Sequence, residues 1–391
     1  MSKLTLTRAE FLAGLAASAA LALTNDAWAE DRWQQQLPRS LDTSGWQLGP
    51  FHRAAAGPII RPDAKAVFDG PIRGRPVHWM SAHTFNPASI VRDGKMVVLF
   101  RAEDQPEVKV IGQHTSRLGY ATSTDGTHFT NRPAPVLYPA KDAQEHAEWQ
   151  GGCEDPRLCE GPDGTYYVTY TQWNHKDVRL GLATSRDLIH WHKHGSAFAG
   201  TAYENLATKS AAIIQKIDGG RMKAAKIAGK YWMVFGEGRI HVATSTDLIH
   251  WSPVELPNGE LLVLMAPRIG RFDSALAEVG PPPLVTEQGI VMLYNGKNAT
   301  TDTDRDRTIG GGAYCGGQAL LDPSDPTKVL ARLDKPFFQP ELSWEKTGQY
   351  AAGTTFLEGL TYFRGRLFLY YGTADNFVGV AVGPTPKWHR G

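Results

Sequence analysis

"LGYATSTDGTHF", residues 118–129, returns as "LGLATSRDLIHW" at 180–191 and as "IHVATSTDLIHW" at 240–251. Each copy is a short alternating strand that runs into a polar turn and ends on an aromatic residue. Weaker copies are "GGAYCGGQALLD" (311–322) and "VGVAVGPTPKW" (378–388). Their alanines, Ala121, Ala183, Ala243, Ala313 and Ala381, are spaced by 62, 60, 70 and 68 residues. Ahead of each copy lies another strand opened by a tight turn: "DGKMVVLFRAED" (93–104), "DGTYYVTYTQWN" (163–174), "GKYWMVFGEG" (229–238), "QGIVMLYNGKN" (288–298) and "RGRLFLYYGTAD" (364–375). Repeats of this length, all strand and turn, predict an all-β fold, a five-bladed β-propeller with one blade per repeat. Residues 31 to about 75 become an entry segment that also closes the ring. No stretch is rich enough in Gly, Ser or Pro to divide two domains, so residues 30–391 are expected to form one.

Within the 391 residues, 41 Lys and Arg balance 40 Asp and Glu, which gives no electrostatic reason to expect nucleic acid or an anionic membrane as partner. The N-terminus reads as an export signal. Lys3 and Arg8 precede an apolar run from Phe11 to Leu23, and Ala27-Trp28-Ala29 offers a small-x-small cleavage site. That run is too short to span a bilayer as a helix. "TRAEFL" resembles a twin-arginine signal but holds one arginine, so general secretion is the simpler expectation. Residues 1–29 are read as a signal peptide, and the mature protein as periplasmic or secreted.

Three local features invite chemical readings and are assigned structural ones. "STDGTHF" and "STDLIHW" look like Asp-box turns, in which Ser and Asp fasten a hairpin. His190, His192 and His194 alternate in "HWHKH", but no carboxylate or cysteine joins them to suggest a metal. "IGGGAYCGG" (309–317) lacks the βαβ surroundings of a dinucleotide loop. Cys153, Cys159 and Cys315 lack the spacing of a zinc site and read as free buried thiols. No metal and no cofactor is expected.

In a propeller the innermost strand of each blade lines a central channel. Here those strands open with "FNPASIV" (85–91), "CEDPRLC" (153–159), "RMKAAKI" (221–227), "EVGPPPLV" (278–285) and "FLEGLTYF" (356–363). The strands that follow end with Arg101 to Asp104, Trp173-Asn174, Glu237, Asn295 and Asp375. Together these make a funnel of acids, arginines, amides and aromatics, a lining suited to a neutral polyhydroxylated ligand. Asp155 would point into it, turned out by Pro156; the alternative is a local ion pair of Asp155 with Arg157.

The segments "GCEDPRL", "FNPASI", "LFRAED", "GYATSTDGTHF", "GPPPLVTEQGIVMLYNG" and "FLEGLTYFRGRLFLYYGTADNFVGVAV" run in order from about residue 80 to 383. Their combination resembles glycoside hydrolase family 130, five-bladed propellers that act on β-mannosides with inversion as phosphorylases or as hydrolases of β-1,2 linkages. The resemblance makes Asp155 the general acid, its proton reaching the glycosidic oxygen through a hydroxyl of the bound mannose. It makes Arg101 and Asp375 residues that hold the cleaved sugar, with Asn86, Asp104 and Arg157 as neighbouring candidates.

Glu237 stands where the phosphorylases carry a basic "LHR"-like stretch, and Glu278 precedes "GPPP" where many carry a small residue. Two carboxylates on that side would repel phosphate and activate water. The expected activity is therefore an inverting β-1,2-mannosidase with Asp155, Glu237 and Glu278 as catalytic residues. The runner-up is a β-mannoside phosphorylase, kept open by Arg157, Arg179, Lys209 and "NHK" (174–176), with Lys209 as a binding candidate. A non-catalytic glycan-binding propeller would not need the three carboxylates, and an arabinanase-like hydrolase would need a different acid triad.

Overall fold

The computed structural model describes residues 45–385, apart from 106 and 109; the expected signal peptide lies outside them. The described chain is almost entirely β, with one four-residue helix, Glu145–Glu148, and one 3-10 turn, Ser343–Lys346. No described helix is long and apolar enough to cross a membrane.

The repeats fold into five antiparallel units. The first comprises His83–Arg92, Lys95–Glu103, Ser116–Ser123 and Thr130–Asn131. The second comprises Gly152–Glu160, Tyr166–Trp173, Val178–Ser185 and His192–Ser196. In the third, Ala211–Ile213 pairs with Lys230–Phe235, which pairs with Ile240–Ser245. In the fourth, Leu276–Val279 and Leu284–Thr286 share the partner Gly289–Lys297, followed by Tyr314–Leu321 and Val329–Arg332. The fifth is Phe356–Phe363, Arg366–Thr373 and Phe377–Pro384, and His52–Arg53 from the entry segment adds its outer strand.

The third unit departs from the expected layout. "RMKAAKI" is not its innermost strand. Arg221–Ala224 closes a hairpin with Gln215–Asp218, and Gln215 pairs across to Leu284 of the fourth unit. The innermost strand is Ala211–Ile213, resumed at Lys226–Ile227 after this insertion.

Each unit is apolar on both faces because each face meets a neighbour. Val97 and Leu99 pack with Leu158 and Val168 of the second unit, whereas Val98 and Phe100 pack with Tyr370 and Val380 of the fifth. That explains the unbroken "MVVLF", where a half-exposed strand would alternate. Leu180 and Leu182 meet Met233 and Phe235; Val234 and Val242 meet Ile290 and Met292; Leu293 and Leu320 meet Leu357 and Leu369. Every cluster thus joins two successive units, and one joins the last to the first.

A cross-strand pair recurs inside the units and accounts for the glycines of "LGYATS" and "LGLATS". Gly119 lies opposite Phe100, Gly181 opposite Tyr170, Gly317 opposite Tyr294 and Gly379 opposite Tyr371. A Cβ on Gly119 would fall 2.3 Å from the Phe100 ring and one on Gly379 2.4 Å from Tyr371. The aromatic lies over the bare backbone. In the third unit His241 takes the glycine's place and stacks on Phe235, ring centroids 5.4 Å apart.

The Asp boxes are structural, as expected. Ser123 Oγ accepts the Gly126 amide, and Asp125 Oδ1 accepts the amides of Thr127 and His128. Residues 185–190 and 245–250 repeat this pattern. All three cysteines are buried and free. His190 bonds to Asp187, and His194 to Thr184.

Candidate active site

The innermost strands break register at one end. Pairing shifts between Phe85 and Pro87, between Glu154 and Arg157, and between Leu357 and Gly359. The residues released are Asn86, Asp155 together with Pro156, and Glu358; Asn86, Asp155 and Glu358 are each followed by Pro or Gly in the sequence. A bulge of this kind re-aims one side chain out of the ladder. Asn86 (φ 48°) and Asp155 (φ 49°) adopt left-handed backbone, as do Ser210 (φ 56°) and Asp375 (φ 51°). Such conformations cost about 1–3 kcal/mol each for a non-glycine residue. The proline of "EDPR" thus serves a bulge, where the lack of an N–H costs nothing.

Arg101 is the first anchor. Its Nη1 donates to Asp155 Oδ1 (3.0 Å), and its Nη2 to Glu103 Oε1 (2.6 Å) and Glu154 Oε1 (2.9 Å). Nε donates to Ser116 Oγ. Asn86 Nδ2 donates to the same Asp155 oxygen at 2.8 Å. Burial alone would raise the Asp155 pKa, but Arg101, then Lys209 and Arg157, hold it well below the usual carboxylate range.

Lys209 is the second anchor. Its Nζ lies 3.8 Å from Asp155 Oδ2, 3.4 Å from Glu237 Oε1 and 3.6 Å from Glu278 Oε1. Glu278 also accepts from Ser210 Oγ at 2.6 Å. Burial drives the Glu278 carboxyl up to about 7 against the pull of Lys209, and Glu237 adds to the rise. Asp155 and Glu278, sharing one ammonium, are no farther apart than the lower half of the roughly 6.5–9.5 Å separation that admits a water between inverting carboxylates. Asn86 Oδ1 and Glu278 Oε2 are buried without a hydrogen-bond partner. Acceptors left in this way suit the hydroxyls of a ligand or a water.

Arg157 sits beneath this surface. It donates to the carbonyls of Asp155, Val279 and Gly280, and its Nη1 lies 2.9 Å from Glu358. It fastens the second unit to the fourth rather than offering a free fork to a ligand. Burial pushes the Glu358 carboxyl well above its ordinary value, opposed by Arg157 and reinforced by Asp155 and Glu278.

Asp375 bears electrostatically on Arg101 and on Lys297. Lys297 Nζ lies over the rings of Tyr314 and Tyr350, 5.0 and 5.5 Å from their centroids. Its pKa is lowered by burial, against Glu237, Glu278 and Asp375. Asp104 turns away from the anchors to Arg117 Nη1 (2.8 Å).

Among the described residues one group has the donor set of a metal site: His83, Glu103 and His114, with ligand atoms within 4.8 Å of one another. Arg101 already claims one oxygen of Glu103.

Buried carboxylates paired with arginine and lysine around orphaned acceptors are the lining of a carbohydrate site that does acid–base work. Comparison with known proteins identifies the family. The sequence profile of glycoside hydrolase family 130, described as beta-1,4-mannooligosaccharide phosphorylase, matches residues 53–387. The chain belongs to glycoside hydrolase family 130. A 1,2-beta-oligomannan phosphorylase of Thermoanaerobacter sp. (strain X514) is 32% identical over 308 residues, 78% of this chain and 90% of that protein. A solved glycosyl hydrolase from Bacteroides ovatus is 48% identical with TM-score 0.84, covering 88% of this chain and 96% of the other. Another solved structure is 46% identical with TM-score 0.85, covering 89% and 99%. Its description states that the family of mannoside phosphorylases contains glycoside hydrolases that target beta-1,2 mannosidic linkages in Candida mannan.

In this family 130 enzyme the structure gathers Asn86, Arg101, Asp155, Lys209, Glu237 and Glu278 at one place, with Asp375 beside them. Asp104 and Arg157 are adjacent but committed to other partners. Sequence reading missed Glu358, Ser210 and Lys297. Glu358 carried a signal: it precedes Gly359 as Asn86 precedes Pro87 and Asp155 precedes Pro156. Ser210 was hidden by the hairpin inserted in the third unit. Lys297 ends its strand two residues beyond Asn295, where the sequence marks no boundary.

Proposed function

We propose that the five units are the blades of a five-bladed β-propeller, and that the protein is an exported inverting hydrolase of β-1,2-linked mannosides. Five core clusters joining successive units, the last to the first, support the propeller. The export reading rests on residues 1–29.

The observation that carries the hydrolase reading is the cluster of Asp155, Glu237 and Glu278 around Lys209. One ammonium among three carboxylates is a poor seat for a phosphate dianion, which needs a surplus of cationic donors. It suits a water held by acceptors. Asp155, turned out by its bulge, serves as the acid through a mannose hydroxyl, with Asn86, Arg101 and Asp375 placing that sugar. Glu278, the more deeply buried carboxylate, takes the proton of the attacking water, and Glu237 orients it.

A second reading, phosphorolysis to α-mannose 1-phosphate, is favoured by the curated relatives, which are named phosphorylases, and by the two lysines, Lys209 and Lys297, near the glutamates. The structural relatives nearer 50% identity support hydrolysis. The test is mannose release from β-1,2-mannobiose with and without phosphate, with Asp155→Asn as control. Hydrolysis predicts phosphate-independent release that Asp155→Asn lowers about 10²–10⁴-fold. Activity that requires phosphate overturns it in favour of the second reading.

A further inference from the structure

The face of the first unit opposite the Arg101 anchor opens on a cleft of about 480 Å³. Side chains on the two strands alternate between the site and this cleft. Glu103 and Ser116 turn to Arg101, while the next residues, Asp104 and Arg117, turn to the cleft and pair with each other at 2.8 Å. The cleft therefore begins one residue beyond the two side chains that hold Arg101.

Its walls come from outside the repeats. A hairpin of the entry segment, Phe68–Gly70 with Arg75–Val77, forms one side. Trp149, just after the short helix, contributes the other. Two guanidinium groups lie against these aromatics: Arg73 over Trp149, 5.3 Å from its ring, and Arg117 over Phe68 at 5.4 Å. A guanidinium laid on a ring keeps its N–H edge free to donate sideways, and the ring fixes its direction beforehand. Asp104 adds an acceptor that Arg117 and the Thr115 amide hold in place. Apolar walls with a few fixed donors and an acceptor, in a volume of this size, are the make-up of a site for a small neutral polar molecule.

We infer that this cleft binds further mannose units of the substrate, so that the enzyme discriminates by chain length. The inference rests on the β-1,2-mannoside reading above. The sugar in the catalytic cluster is one unit of the chain. The chain passes the end of Lys95–Glu103 and lays later units between the hairpin and Trp149. Arg73 and Arg117 donate to their hydroxyls, and Asp104 accepts.

The test compares kcat/KM on β-1,2-mannobiose and β-1,2-mannotetraose for the wild type, Trp149→Ala and Arg73→Ala. Arg73 is exposed, so its truncation leaves the fold intact even if the loss of Trp149 does not. The wild type should prefer the tetraose by about tenfold or more, the worth of roughly 1.4 kcal/mol of added contact. Either variant should erase most of that preference and leave the disaccharide rate within about twofold. Titration calorimetry on Asp155→Asn protein should show the same difference in affinity without turnover. Turnover of both mannosides at equal efficiency, or variants that slow both alike, overturns the inference while leaving the function standing. Failure to turn over or bind either mannoside removes the function and the inference with it.

Discussion

Asp155 and Glu278 touch the same ammonium, yet their surroundings pull them in opposite directions. Asp155 is held ionised by Arg101 and Lys209, and Glu278 is raised to about 7 by burial. In the free protein the proton shared by this pair therefore rests on Glu278, whereas the proposed mechanism needs it on Asp155. The two arrangements hold the same number of protons, so their ratio does not change with pH, and the apparent pKa belongs to the pair. Hence kcat/KM should be level below about pH 7 and fall about tenfold per unit above it, as the pair loses its proton. A pH profile of kcat/KM on β-1,2-mannobiose checks this; a rate that climbs through pH 7 and stays high at 9 contradicts it. The site's main actors were legible because they stand at strand ends that five repeats place in equivalent positions. Their charge states were not, because these depend on Lys209 reaching three carboxylates from just ahead of Ala211–Ile213, a strand the sequence did not reveal.

At the scale of elements, the bulges do the aiming, and they need room. Gly372, opposite Phe356 in the fifth unit, provides it: a Cβ there would lie 2.1 Å from Asn86 Oδ1 and 2.7 Å from its backbone nitrogen. Gly372→Ala should therefore push Asn86 off Asp155, cost about 1–3 kcal/mol of stability and lower activity. Gly310→Ala, whose Cβ would meet nothing nearer than 3.7 Å, is the control. Thermal melts and kcat/KM of both variants decide; equal behaviour would mean that the bulge tolerates displacement. Strand existence was readable from alternation and turns, as in Tyr166–Trp173 after Asp163-Gly164. The innermost strand of the third unit was not. "RMKAAKI" has the right place in the chain, and only its pairing with Gln215–Asp218 shows that it belongs to an insertion.

For the whole molecule, Ala121, Ala183, Ala243 and Ala381 each mark the same strand of their units, so the repeat was legible; in the fourth unit the equivalent residue is Ala319, not Ala313, which lies just ahead of Tyr314–Leu321. The apolar runs contained the packing, because a strand such as Met96–Phe100 must be covered on both faces. What a sequence of repeats does not contain is the additions that shape a particular site: the hairpin Phe68–Val77 that walls the cleft, and the one at 215–224 that displaces the third inner strand. The central claim is that water attacks the anomeric carbon in one step with inversion. It is tested most directly by following the first minutes of cleavage of a methyl glycoside of β-1,2-mannobiose, whose blocked reducing end leaves as methyl mannoside and adds no free anomers, by proton NMR in buffer containing phosphate. The account predicts α-mannose as the first free mannose, equilibrating later with its β anomer, and no phosphorylated sugar. First appearance of α-mannose 1-phosphate, or of β-mannose, would contradict it.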